Sequence, residues 1–146
     1  MKYIAYGSNM NLGQMAFRCP GAKVVGVGHI KDFRLEFYLH ATIEHRKGES
    51  VPVVVWEIND NHLKTLDFYE GFPSYYIKRN MKVDMPNGKK IKGMVYLMNN
   101  FRDYPPTNDY VEGIKEAYRT FNLEDEIPNI DKAIERANWK DYYVVE

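Results

Sequence analysis

The order of local patterns along the chain predicts an α+β fold built on a strongly curved sheet. Three observations carry this reading. A short β-prone segment followed by a helix opens the chain, strand patterns fill its middle, and two helical periodicities close it. The 146 residues show no linker, repeat or low-complexity tract, so 1–146 reads as a single domain.

Residues 2–6 are β-prone and end at Gly7-Ser8-Asn9, a strand running into a loop. Asn9 or Asn11 can cap the next helix, whose apolar face would be Leu12, Met15 and Ala16, and Cys19-Pro20-Gly21 stops it. Residues 22–30 read weakly as strand. Residues 33–40 alternate clearly, with Phe33, Leu35, Phe37 and Leu39 on one face and Arg34, Glu36, Tyr38 and His40 on the other. The polar stretch 41–50 reads as a loop. Val51 to Ile58 is almost continuously apolar, the pattern of a strand covered on both faces.

Asn59-Asp60 caps a short helix that ends at Gly71. Residues 75–85 and 89–98 read as paired strands, with Asn87-Gly88 predicting a type I′ hairpin between them. After Pro105-Pro106-Thr107, Val111, Ile114, Tyr118 and Phe121 follow a helical period. A last helix starting near Pro128 carries Ile130, Ile134 and Ala137.

Lys+Arg and Asp+Glu number 20 each, so the basic excess that attracts nucleic acid or an anionic membrane is missing. Lys89, Lys90 and Lys92 read as a solvated hairpin. Cys19 is the sole cysteine, which rules out an internal disulfide and fits a reducing compartment. No signal peptide is visible, and the longest apolar stretch, Val51 to Trp56, is too short to span a bilayer. The expectation is a soluble, cytoplasmic protein. His29, His40, His45 and His62 are scattered without a metal spacing, so no metal site is expected. Cys19 reads as a small buried side chain, and Tyr75 and Tyr76 as packing residues that can also line a pocket.

One residue sits badly in a structural role. On the helix from Asp60 to Glu70, a 100° step places Leu63, Leu66 and Glu70 on one stripe. If the leucines face the core, Glu70 does too. Burial and the negative end of the helix would both raise its pKa, and a carboxyl near neutrality can take and return a proton. Periodicity leaves plainer readings open: a solvated helix end, or a partner for Lys78 or Arg79. Asp67, on the same side, is either a solvated flank or the second half of a carboxylate pair. A second feature is Tyr6-Gly7-Ser8-Asn9. A strand that turns through glycine and small polar residues into a helix exposes main-chain N–H groups to an anion, although a capped turn explains the same residues.

Together these segments carry a family likeness. Tyr3-Ile4-Ala5-Tyr6-Gly7-Ser8-Asn9-Met10 resembles the N-terminal signature of the γ-glutamyl cyclotransferase family. Arg18-Cys19-Pro20-Gly21-Ala22 is similar to its bacterial members. Leu66-Asp67-Phe68-Tyr69-Glu70-Gly71 resembles the segment holding the family's catalytic glutamate, and Pro105-Pro106-Thr107-Asn108-Asp109-Tyr110 the segment with a substrate-contacting tyrosine. The matches run in order over residues 3–121.

The resemblance implies a small curved mixed β-sheet or barrel with flanking helices, and cleavage of γ-glutamyl amides to 5-oxoproline without metal or cofactor. By it, Glu70 is the general acid/base. Tyr3, Ile4, Ala5, Tyr6, Gly7, Ser8 and Asn9 bind substrate chiefly through main-chain groups, and Tyr110 does so through its hydroxyl. Ser8-Asn9 departs from the Thr-Leu of the γ-glutamylamine branch, and Asn9 from the leucine of the glutathione-specific branch. The expected substrate is therefore a γ-glutamyl amino acid. A γ-glutamylamine, a γ-glutamyl group removed in antibiotic biosynthesis, or a non-catalytic module that binds a small acid remain alternatives. A homodimer is open by analogy alone.

Overall fold

The computed structural model describes the backbone of residues 1–145 and the side chains of residues 1–138. Five strands close into a barrel in the order β1-β3-β2-β4-β5, with β1 at Lys2–Ala5, β2 at Lys23–Tyr38, β3 at His40–Glu57, β4 at Tyr76–Asp84 and β5 at Lys90–Met98. The sheet is mixed. β1 lies antiparallel to β3, with Tyr3 opposite Trp56, and closes the barrel through a parallel step in which Tyr3 pairs with Met94. Helices α1 (Leu12–Arg18), α2 (Asp60–Glu70), α3 (Asn108–Thr120) and α4 (Ile127–Val145) flank it. Among the described residues no helix is long and apolar enough to cross a membrane.

The apolar run behaves as its composition demands. Val51, Val53, Val54, Val55 and Trp56 are all buried, so both faces of this half of β3 are covered. Residues 41–50, expected to be a loop, are instead the first half of the same strand. The chain reverses at Leu39, which has φ +67 and belongs to the turn rather than to the apolar face with Phe37. From Tyr38 opposite His40 the two strands pair to Phe33 opposite His45, and pairing resumes at Lys31 opposite Ser50. The extra residues 46–49 bulge opposite Asp32, whose carboxylate accepts the Gly48 N–H at 2.9 Å. Cross-strand pairing overrides the low β propensity of this polar stretch.

The alternating strand has a further twist. Leu35 and Phe37 are buried as expected, yet Glu36 on the polar face is only 3% exposed. It accepts from Arg34 and from Arg136 of α4, both at 2.7 Å, so α4 covers this face through an ion-paired carboxylate.

Helix α1 is capped by Asn11, which accepts the Gln14 N–H at 3.1 Å. Of its expected apolar face only Met15 is buried, while Leu12 and Ala16 are exposed. In α3 the Thr107 side chain caps and Val111, Ile114 and Tyr118 are buried; in α4, Ile130 and Ala137 are. The β4–β5 connection is not type I′. Gly88 has φ +83 but Asn87 does not share the left-handed region, and the Gly88 N–H donates to the Met85 carbonyl at 3.0 Å. Pro86, with φ fixed near −65°, suits a right-handed turn that Gly88 then exits.

Candidate active site

The site assembles at the barrel end where β1 leaves the sheet and α2 stops. Asn59 starts α2 by accepting the His62 N–H at 2.9 Å, and His62 returns the favour by accepting the Asn59 N–H on Nδ1 at 3.2 Å. With Nδ1 accepting, the ring proton sits on Nε2 and donates to the Pro20 carbonyl at 2.7 Å, tying α2 to the end of α1. At the other end Gly71 takes the left-handed conformation, φ +62, and its N–H closes on the Asp67 and Phe68 carbonyls. These two caps fix the helix so that Glu70, its last residue, faces a cavity of about 180 Å³.

Five buried or half-buried tyrosines, Tyr3, Tyr6, Tyr76, Tyr96 and Tyr110, line this cavity with Ile4, Gly7, Ser8, Asn9, Gln14, Arg18, His40, Ala41, Tyr69 and Glu70. The hydroxyls are held in place. Tyr76 donates to the Ala41 carbonyl at 2.7 Å and Tyr6 to the Tyr96 carbonyl at 2.6 Å. Tyr96 donates to Asp67 at 2.6 Å, and Tyr110 accepts the Ala41 N–H at 3.0 Å. Burial raises the pKa of each of these phenols, that of Tyr110 to about 12, so they remain donors near neutrality.

Glu70 is partly buried, and burial lifts its carboxyl from an ordinary 4.5 to about 7, with Arg18 pulling in the opposite direction. Lys78 does not pair with it. That ammonium goes to Asp67 at 3.0 Å, so Asp67 is neither a solvated flank nor a carboxylate partner of Glu70. The hydrogen bond that Glu70 does receive comes from the Asn9 amide nitrogen, at 3.3 Å. Asn9 is 3% exposed and its side chain is saturated: Oδ1 accepts from Gln14 at 2.8 Å and Arg18 at 3.1 Å, and Nδ2 also donates to the Tyr3 hydroxyl at 2.9 Å, while the main-chain carbonyl accepts the Trp56 indole at 3.0 Å.

Residues Ser8–Met10 form one 3₁₀ turn closed by the Met10 N–H on the Gly7 carbonyl at 3.0 Å. The N–H groups of Gly7, Ser8 and Asn9 themselves have no protein acceptor among the described residues. Donors left open beside a cavity are places for a ligand's oxygens. Gly7 also admits close packing, since a Cβ there would lie 3.2 Å from Ala41 Cβ and 3.6 Å from the Tyr110 hydroxyl.

The structure thus brings Tyr3, Ile4, Tyr6, Gly7, Ser8, Asn9, Glu70 and Tyr110 together. Ala5 is buried but does not line the cavity. Gln14, Arg18, His40, Ala41, Tyr69 and Tyr96 escaped the sequence reading, and Tyr76 enters where its neighbour Tyr75 does not. His40 carries no local signal; burial and then the nearby Arg102 and Arg18 lower its pKa, so it is uncharged at pH 7. The other three histidines are occupied elsewhere: His29 pairs with Glu126 at 2.7 Å, His45 packs edge-on against Phe33, and His62 caps α2. Cys19 is buried, and burial raises its thiol pKa.

A closed mixed barrel whose end holds one acid among hydroxyls and open amides defines a small-molecule site. The comparisons make that class specific. A sequence profile described as gamma-glutamyl cyclotransferase, AIG2-like, matches residues 3–120, and the chain belongs to this family. It is 33% identical over 151 aligned residues to the gamma-glutamylcyclotransferase of Mus musculus, covering 94% of this chain and 80% of the mouse protein. The Homo sapiens gamma-glutamylcyclotransferase is 34% identical over 146 residues, covering 91% and 78%. A solved structure of a gamma-glutamyl cyclotransferase superposes with a TM-score of 0.81 at 31% identity, covering 91% of this chain and 85% of that one.

Proposed function

We propose that this γ-glutamyl cyclotransferase-type enzyme converts γ-glutamyl amino acids into 5-oxoproline and the free amino acid, with Glu70 carrying the proton. The observation that carries the reading is the carboxyl of Glu70, facing the cavity and raised by burial to about 7. At neutral pH such a group exists in both protonation states, as a carrier that must first accept and then donate requires.

The reaction is intramolecular. Glu70 as carboxylate takes a proton from the substrate's α-amine, whose nitrogen attacks the γ-carbonyl carbon. The C–N bond of a five-membered ring forms and the carbonyl oxygen becomes an oxyanion. The oxyanion collapses, the bond to the leaving nitrogen breaks, and the protonated Glu70 returns its proton to that nitrogen. Charge on the oxygen is met by donors already in place, for which the open N–H groups of Gly7, Ser8 and Asn9 are the candidates. Holding the γ-glutamyl chain folded for attack supplies the rest, and the tyrosine-lined floor, rigid through its hydrogen bonds, is suited to that. The Tyr110 hydroxyl, anchored by the Ala41 N–H, supports the role of a substrate contact.

Glu70→Gln keeps the shape and the Asn9 contact while removing the proton carrier. Release of 5-oxoproline from γ-glutamyl-alanine should fall by about 10²–10⁴-fold, with 5-oxoproline still bound at near wild-type affinity. Turnover within tenfold of wild type would overturn the assignment.

A further inference from the structure

Arg18 has hydrogen-bonding capacity to spare. Its guanidinium lies over the Tyr69 ring at 4.1 Å and donates one hydrogen bond, to Asn9 Oδ1 at 3.1 Å. Arg34, Arg119 and Arg136 each pair with a carboxylate, whereas Arg18, Arg46, Arg79 and Arg102 are in none of the ion pairs among the described residues, and of these four only Arg18 lines the cavity. It is half-buried, and among the described residues it is the only fixed charge on the cavity wall, where the one acid is Glu70. A partly desolvated guanidinium with N–H donors to spare is built for a ligand carboxylate.

Which carboxylate follows from depth. Tyr3, Ile4, Tyr6, Tyr76 and Tyr96 are at most 8% exposed and make the floor. Arg18, Gln14, Tyr69 and His40 retain solvent exposure and make the rim. The γ-glutamyl part must reach the floor beside Glu70, so the departing portion lies toward the rim. Resting on the cyclotransferase reading above, we infer that Arg18 is a specificity residue that pairs with the carboxylate of the departing amino acid. It thereby favours γ-glutamyl amino acids over γ-glutamyl amines or amides lacking that charge.

The test compares kcat/KM for γ-glutamyl-alanine and γ-glutamyl-alaninamide, which differ only in that carboxylate, by 5-oxoproline release. The wild type should prefer the acid, and Arg18→Gln, which can still donate to Asn9, should lower the acid-to-amide ratio about ten- to a hundredfold. Taking the ratio cancels any common loss through Asn9 or Glu70. An unchanged ratio, with both substrates slowed alike, makes Arg18 a prop for Asn9 and overturns the inference. In the wild type itself, raising salt should weaken turnover of the acid more than of the amide, and identical salt responses also overturn it. No 5-oxoproline from either substrate with the wild type would instead bring down the cyclotransferase reading, and this inference with it.

Discussion

The position of Glu70 has a thermodynamic consequence that can be measured without substrate. Its pKa is 4.5 in an ordinary setting and about 7 in the folded site. Below about pH 4.5 the group is protonated folded and unfolded, and it costs nothing. Between there and pH 7 the unfolded chain releases the proton while the folded chain keeps it, so stability falls; above pH 7 the loss is complete. At 1.36 kcal/mol per pH unit the rise corresponds to about 3 kcal/mol. Glu70→Gln mimics the protonated acid and has no proton to release, so it escapes the loss. The variant should match the wild type at pH 4.5 and be more stable by about 3 kcal/mol at pH 8, or roughly 6–12 °C in Tm for a chain of this size. Differential scanning calorimetry of both proteins across that range is the assay. A stability difference that stays constant from pH 4.5 to 8 refutes the argument, because a constant offset comes from packing and not from proton release. The same substitution is expected to lower turnover by about 10²–10⁴-fold, so it separates stability from activity at one residue.

Tyr110→Phe leaves the Ala41 N–H without its acceptor; it should cost about 1 kcal/mol of stability and raise KM several-fold, checked by urea titration and initial rates. Gly7→Ala places a methyl 3.2 Å from Ala41 Cβ; the tight contact should push Ala41 and the Tyr110 hydroxyl apart and lower kcat/KM about tenfold or more, with little change in far-UV circular dichroism. Gly71→Ala forces φ +62 on a side chain whose Cβ would lie 2.5 Å from Tyr75; thermal denaturation should show a loss of about 2 kcal/mol or more.

What could be read from the sequence was what neighbouring residues decide. Helix α2 was legible from end to end, because Asn59, Leu66 and Gly71 each act within a turn of the helix. The apolar half of β3 was legible because a strand buried on both faces needs no partner to reveal it. The helical period offered an inward Glu70 only beside plainer readings, a solvated end or a partner for Lys78 or Arg79, and the cause of its raised pKa is burial against which Arg18 works. The polar half of β3 was not legible, since Thr42 to Ser50 are strand only by pairing with β2. That omission hid Ala41, whose main-chain groups anchor Tyr76 and Tyr110. Arg18 and His40 likewise reach the cavity through tertiary placement, one from the end of α1 and the other from the far side of the β2–β3 turn.

The two halves of the site are joined through a single side chain, and hydrogen-bond accounting shows why its orientation is fixed. Asn9 can present either its oxygen or its nitrogen to Glu70. Arg18 carries only donors, so the amide oxygen must face it, and the Gln14 NH₂ then donates to the same oxygen. The nitrogen is then forced toward Tyr3 and Glu70. Reversal would set the NH₂ against the Arg18 guanidinium and, when Glu70 is ionised, the oxygen against its carboxylate, at a residue 3% exposed. The carbonyl of the same residue is held by Trp56 from β3, so the main chain cannot turn with the amide. Asn9 is also part of the turn that leaves three N–H groups open, so one buried residue links those donors to the carboxyl. A reaction in which one carboxyl serves two nitrogens beside an oxyanion requires that spacing to hold.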